Sequence, residues 1–471
     1  MGVSFANTRE VIVPSHPQHS QDRLRPAASR RQHVPASHNY SDRTTLAMTR
    51  TIACLLMLAA TTAATADEDS AGRSSRDKSP VTTAATGQTL IVEVRNEPRI
   101  DAPASVGLSI GNEELRSVRL VETTGGKELP IPSQIETGTP PRLCWVMRGE
   151  LPAGSKRFYR IDAGAAVTGP EVSVDRRQDS LVVRVDESPV LQYNTAHVEP
   201  PAGADAKYGR SAFIHPCWTP SGTVVTDQFP PDHLHQSGLF LAHTKTEFEG
   251  RTPNFWDLLG GTGQVRFKEV KGTSSGPVFG ELRVEHEHMD LSAPDGKVAL
   301  VETWSVRVWN IGGRDADFWV CDVTSILNCA TPSPLRLLKY HYGGMALRGA
   351  RSWDADHARF LTSEGKDRLA GNHTRPRWCD LSGPIGDRMA GIAFLTHPAN
   401  FRAPEPLRIH PTMPYMVYSP SHLGDWEITP DKPHVSRYQF VIHDGNMPEP
   451  TANWLWLNFA EPLVASVVPP E

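Results

Sequence analysis

From Thr89 onward the chain is written in short alternating runs. LIVEV, SVGLSI, SVRLVE, RLCWVM and KRFYRID set apolar side chains at every second position, with Pro, Gly or Asp turns between them. Period two is the signature of strands with one face buried, and turns at roughly ten-residue intervals suit a small antiparallel sandwich. The pattern predicts a β-sandwich over residues 89–165. A second start, LVVRVDESPVLQYN, opens a larger β-rich region over residues 166–471. No helical period runs beyond about twelve residues, so the expected class is all-β.

One hairpin can be read residue by residue. GELRVEHEHMDLSAPDGKVALVETWSVRVWN holds two strand runs around Pro294-Asp295-Gly296. A three-residue loop ending in glycine, which accepts a left-handed backbone, would pair residues whose numbers sum to about 590. Leu282, Val284, His286 and His288 then share a face with Val298, Leu300, Glu302, Trp304, Val306 and Val308, and His288 stands opposite Glu302. A carboxylate on an apolar face is costly unless paired or used. The expectation is either a satisfied His–Glu pair or a catalytic pair lining a cleft.

The N-terminal region reads differently. Residues 1–47 are polar and aperiodic, and MTRTIACLLMLAATTAATA follows, with Arg50, an apolar run Ile52 to Ala60, and Ala64-Thr65-Ala66. This is the layout of a secretory signal over 48–66, preceded by a leader upstream of the true start and followed by a flexible linker, 67–88. The expected protein is exported, periplasmic or extracellular, after cleavage near Ala66. The apolar run is about half a bilayer span. The net charge of −5 gives no argument for nucleic acid. Cys144, Cys217, Cys321, Cys329 and Cys379 form no framework and no CxxC pattern. They are buried thiols, or Cys321 and Cys329 pair.

Candidate chemistry concentrates in Tyr208 to Asp257, which holds Arg210, His215, Asp232, His233, His235, His243, Lys245 and Trp256. On an extended segment His233 and His235 point the same way, as a pair for acid/base work or half of a metal site with Asp232, His243 or His215. Trp256 and Trp378 could stack on sugar rings or fill a core. Lys339, Arg348, Arg377 and Arg402 are candidate clamps for substrate oxygens or a carboxylate. Lys339 and His341 alternate onto one face, and His397 and His410 sit in His-Pro dipeptides that fit a cleft rim or plain turns. There is no GxSxG, HExxH, Walker or Rossmann pattern.

YGRSAFIHPCWTPSG, FPPDHLHQSGLFLAHTK, NFWD, YHYGGMALRG, RWCDLSGP, GIAFLTHPANFRAPEPLRIHPTMPYMVYSP and YQFVIHDG occur in order between Asn194 and Gly445. In these pieces the chain resembles a family of unknown function that carries the label "methane oxygenase PmoA". Where that family commonly reads HPHHRG, this chain has His233-Leu234-His235-Gln236-Ser237-Gly238, with two of the histidines and no arginine. The resemblance implies a large antiparallel β-supersandwich like that of galactose-mutarotase-like proteins, which handle carbohydrates. The expected function is proton transfer on a sugar or polyol in a histidine-rich cleft, of epimerase, mutarotase, lyase or hydrolase type. His233, His235, His341, Asp232, Glu302 and His288 are the expected catalytic groups. Arg210, His215, Trp256, Lys339, Arg377, Trp378, His397, Arg402 and His410 are the expected substrate contacts, with no cofactor. The alternatives are a non-catalytic carbohydrate-binding or cell-surface protein, and a metal-dependent hydrolase or oxygenase.

Overall fold

Two eight-stranded sheets face each other across the main core. The first, called the front sheet, runs in the order Leu407–Ile409, Tyr415–Tyr418, Gly344–Arg348, Leu239–Ala242, Phe213–Cys217, Ser188–Asn194, Ser180–Val185 and Val172–Arg176. The back sheet runs Gly263–Ser274, Phe279–Asp290, Lys297–Trp309, Phe318–Cys329, His434–Asp444, Arg388–Thr396, Trp378–Ile385 and Arg359–Thr362. Every neighbouring pair in both is antiparallel. This is a computed structural model describing residues 83–109, 117–169, 171–311 and 317–469. The expected leader, the signal segment and linker residues 67–82 lie outside the described residues. Among the described residues no helix is long and apolar enough to cross a membrane.

The alternation read from sequence holds along the longest hairpin. Leu282, Val284, His286 and His288 on one strand, and Leu300, Glu302, Trp304, Val306 and Val308 on the other, are all fully buried. Each such apolar side chain contributes about 1.5–3 kcal/mol by leaving water. The register differs from the expected one. His286, not His288, pairs with Glu302, and His288 pairs with Leu300. The loop is longer than three residues, spanning Leu291 to Gly296, and a bulge falls between His288 and Met289. The longer loop shifts the pairing by two, an even step that keeps Leu300 to Val308 on their expected faces, whereas the bulge turns Val298 away, opposite Met289 and only partly buried.

A smaller sandwich of two five-stranded sheets carries its own core around Trp145 and Tyr159, whose rings are 5.2 Å apart. It recruits segments from beyond residues 89–165. Thr83–Ala84 pairs with Gly107 and Leu108, inside the stretch expected to be linker. Leu463–Val464 runs parallel to Ala104 and Ser105, and Ser466–Val467 pairs with Leu90 and Ile91. Deleting everything after Ala460 should cost about 2–4 kcal/mol, from Leu463 burial and the lost ladder bonds. It should speed proteolysis within 89–165; an unchanged digestion rate and melting midpoint would contradict the pairing.

The sandwich is joined to the back sheet by Gln134. Its Oε1 accepts from the Val278 and Phe279 amides at 3.1 and 3.0 Å, and its Nε2 donates to the Phe279 carbonyl at 3.0 Å. Gly276 permits that approach, since a Cβ there would lie 2.5 Å from Gln134 Oε1. The helix Glu449–Ala460 covers the outer face of the back sheet, where Ala452 and Leu455 cluster with Val320, Trp378, Leu395 and Val441. All five described cysteines are free. Cys321 and Cys329 stand eight positions apart on one extended strand, about 26 Å, far beyond disulfide reach.

Candidate functional site

Strand parity decides which face of the front sheet carries chemistry. Tyr418 meets Phe394 of the back sheet at 4.8 Å, so Tyr418 and the residues that alternate with it point inward. Tyr415 and Val417 therefore point outward, together with their partners Arg348 and Ala346, and with Phe240 opposite Ala346. Trp256 covers this outer face, its ring 5.0 Å from Phe240, 6.1 Å from Tyr415 and 5.8 Å from Tyr342, nearly parallel to the last. A cavity of about 300 Å³ opens beside it. His233, His235, Gln236, Thr244, Lys245, Asn254, Trp256, Asp257, Tyr340, Tyr342 and Tyr415 line it.

His233 and His235 do come together, at 5.5 Å between ring centroids, but not on an extended segment. The chain there is a double turn, with the His233 amide donating to the Pro230 carbonyl and the Gln236 amide to the His233 carbonyl. His410 joins them, 6.0 Å from His233. Asp232 stands behind His233. Arg348, 4% exposed, grips both its oxygens at 3.1 and 3.2 Å and also donates to Gln236 Oε1 at 3.0 Å. Burial alone would raise the Asp232 pKa, but the Arg348 hydrogen bonds outweigh it and hold the carboxyl below the ordinary range. Asp232 Oδ2 lies 3.7 Å from His233 Nδ1.

Burial, with the nearby His233, pushes His235 down to about 4, so it is a neutral imidazole at pH 7. His410 is likewise lowered to about 4, by burial and then Arg408. Its Nδ1 accepts from the Met413 and Thr412 amides at 3.1 and 3.3 Å, which leaves the proton on Nε2. Tyr415 is fully buried, its hydroxyl has no protein partner, and burial raises its pKa well above 10. The cavity thus offers a neutral base and an uncommitted phenol beside an aromatic wall, while His410 packs against His233 from outside the lining.

Other expected residues lie elsewhere. Glu302 and His288 are sealed between the sheets with no exposure. Arg210 is buried over Phe240 and donates to the His235 carbonyl at 3.0 Å, so it supports the histidine turn from beneath. His215 bonds Thr226 at 2.9 Å and does not line the cavity. Trp378 is core, its indole N–H held by Asn453 of the C-terminal helix at 3.0 Å. Arg377 stacks on Trp456 of the same helix, and His397 packs on Phe459, both across the back sheet. Arg402 is committed to the carbonyls of Pro420, Gly424 and Asp425. His341 sits between Tyr340 and Tyr342 but forms part of an adjoining cluster with His373, beside exposed Lys339.

Asn254 and Asp257 line the cavity, and Arg408, His373 and His422 adjoin it, though no spacing along the chain singles them out. Only Arg408 left a local signal, as the polar residue in the alternation Leu407-Arg408-Ile409. Among the described residues no three His, Cys, Asp or Glu side chains are grouped to hold a metal ion. The expected set does not converge, because Asp232 is bound by Arg348 and His243 is buried beside His288.

No curated protein matches the chain. Solved structures resemble it only distantly. An α-mannosidase from Enterococcus faecalis V583 shares 9% identity at a TM-score of 0.41, covering 82% of this chain and 46% of that one. A glycosyl hydrolase family 38 protein from Enterococcus faecalis shares 10% at 0.36, covering 81% and 47%. A heparan sulfate lyase HepC mutant from Pedobacter heparinus shares 10% at 0.31, covering 61% and 38%. The chain spans about half the length of the first two, and likeness at this level carries no argument about activity. A family profile matches over residues 180–457, the segment that builds the cavity and both large sheets apart from the edge strand Val172–Arg176, and the chain belongs to that family of unknown function, DUF6807.

Proposed function

We propose that the cavity on the outer face of the front sheet binds a carbohydrate or related polyol and moves a proton on it. The observation that carries this is the pairing of His233 and His235, 5.5 Å apart, beside the Trp256–Tyr342 wall and the unpartnered Tyr415 hydroxyl. His235, kept neutral, accepts a proton from a sugar carbon or hydroxyl. His233 returns one, and Asp232 stabilises the imidazolium while it is charged. A neutral imidazole beside a second one, close enough for both to reach a single sugar, is a general acid/base arrangement. Tyr415 hydrogen-bonds a sugar oxygen, Trp256 takes the sugar's apolar face, and His410 packs behind His233. The resemblance to mutarotase-like proteins agrees by analogy of fold alone.

The test is solvent-deuterium incorporation into hexoses and hexuronic acids, followed by NMR alongside direct binding. His235→Ala should slow exchange by about 10²–10⁴-fold, and Trp256→Ala should weaken binding by about tenfold. Exchange should fall as pH drops through about 4, where His235 takes up its proton. Binding without exchange would instead identify a carbohydrate-binding protein, and no binding of any sugar would end the proposal.

A further inference from the structure

Three cations from separate segments stand on and beside one side of the cavity: Lys245 in its lining, Lys339 in the loop before Tyr340, and Arg408 in the strand Leu407–Ile409. Lys245 Nζ lies 4.6 Å over the Tyr340 ring, and the Arg408 guanidinium 5.5 Å from the Tyr342 ring. Among the described residues Lys245, Lys339 and Arg408 have no ion pair. Arg408 spends Nη1 on Asn372 Oδ1 and the Ile409 carbonyl, and its buried Nε has no partner. The neighbouring acid, Asp425, accepts from Arg336 at 3.0 Å and from the Lys339 amide at 2.7 Å.

Three imidazoles complete the group. His373 stacks on His422 at 4.3 Å and lies 6.4 Å from His341. All three are pushed down, first by burial and then by one another and by Arg408, Lys245 or Lys339. No carboxylate opposes that shift in any of them. The lowered imidazoles are neutral donors, and the uncompensated charge is that of Lys245, Lys339 and Arg408, whose mutual repulsion an anion would relieve. Asp257, the carboxylate on the lining, faces the His235 side and acts on that imidazole.

We infer that the Lys245–Lys339–Arg408 cluster is an anion subsite, and that the sugar taken by the cavity carries a carboxylate or sulfate ester. This rests on the reading of the cavity as a sugar site. The sugar's neutral edge would meet His235 and Asp257, while its charged substituent would sit over Tyr340 and Tyr342. Tightly placed cation–anion contacts of this kind are worth about tenfold or more in affinity and weaken with salt.

The test is calorimetry on the full chain with glucuronic and galacturonic acids, glucose, galactose, glucose 6-sulfate and inorganic sulfate. The acidic or sulfated sugars should bind at least about tenfold tighter than the neutral ones at low ionic strength. The preference should vanish in Lys245→Ala/Lys339→Ala and survive in Lys245→Arg/Lys339→Arg. Whichever of carboxylate and sulfate binds tighter identifies the substituent. Equal affinity for charged and neutral sugars, or a preference that outlives the alanine pair, overturns the inference and spares the sugar reading. If no sugar binds but sulfate shifts the imidazole resonances of His341, His373 and His422, the sugar reading fails and the anion subsite stands. If neither binds, both fail.

Discussion

Glu302→Ala should destabilise the protein by about 3–5 kcal/mol, the range for removing one partner of a buried charged network. Glu302 accepts from His288 Nε2 at 2.9 Å, His286 Nδ1 at 3.3 Å, the Trp304 indole N–H at 2.5 Å and the Ser325 hydroxyl at 2.5 Å. The far nitrogen of His286 takes the Tyr193 hydroxyl proton at 2.5 Å, which ties the front sheet to the back one. Burial pushes the carboxyl pKa up, but the two histidine hydrogen bonds outweigh it and hold Glu302 ionised. A lowered value at zero exposure marks a structural anion rather than an acid poised to react. Alanine would strand four donors in an apolar interior. Glu302→Gln removes the charge and turns one acceptor into a donor, so it should cost less but still measurably. A melting curve unchanged by Glu302→Ala would refute this account.

Stability should fall steeply as pH drops from about 6.5 toward 4. His215, His235, His397, His410 and His434 are lowered to about 4 and His243 to about 3, in each case first by burial. Unfolding lets each one bind a proton near pH 6.5, so the unfolded state gains protons and stability rises with pH across that window. Every excess proton adds about 1.4 kcal/mol per pH unit, so His243, buried in the interior, contributes about 2 kcal/mol between pH 6.5 and 5. Glu302, shifted down as a carboxyl, adds its loss lower, as pH falls below about 4.3. His443 works the other way. Burial would lower it, but Asp380 at 2.9 Å raises it, so its contribution is present at low pH and is lost as pH rises through its folded value. One such group does not offset six. Denaturant titrations at pH 7.5, 6 and 5 should show the decline, and a flat profile would contradict it.

The parity of the long hairpin was legible because burial marks faces locally, and a two-residue slip does not change a face. The register was not, because a bulge at His288/Met289 leaves no compositional mark. His233 and His235 were legible as neighbours, though a turn brings them together where an extended segment was expected. Trp256 and Trp378 look alike in sequence, each beside an aspartate or cysteine-aspartate. They differ because a helix some seventy residues further on covers Trp378 with Asn453, a fact that no local pattern contains. The adjoining imidazoles are the same case. His341, His373 and His422 are brought together by pairing between distant strands, and spacing along the chain says nothing of it.

The small sandwich begins with residues near 83 and closes only with strands at 463–467. During synthesis its two sheets must wait for the whole intervening chain to be made. At typical elongation rates that delay is on the order of tens of seconds. Throughout it the edges of Thr89–Glu93 and Arg99–Leu108 lack their last partners. The large sandwich, whose strands all lie between these points, can form in the meantime. Residues 463–467 then act as a latch that couples closure of the small sandwich to synthesis of everything between, so a polypeptide that stops short of them keeps an open sheet for proteases to find.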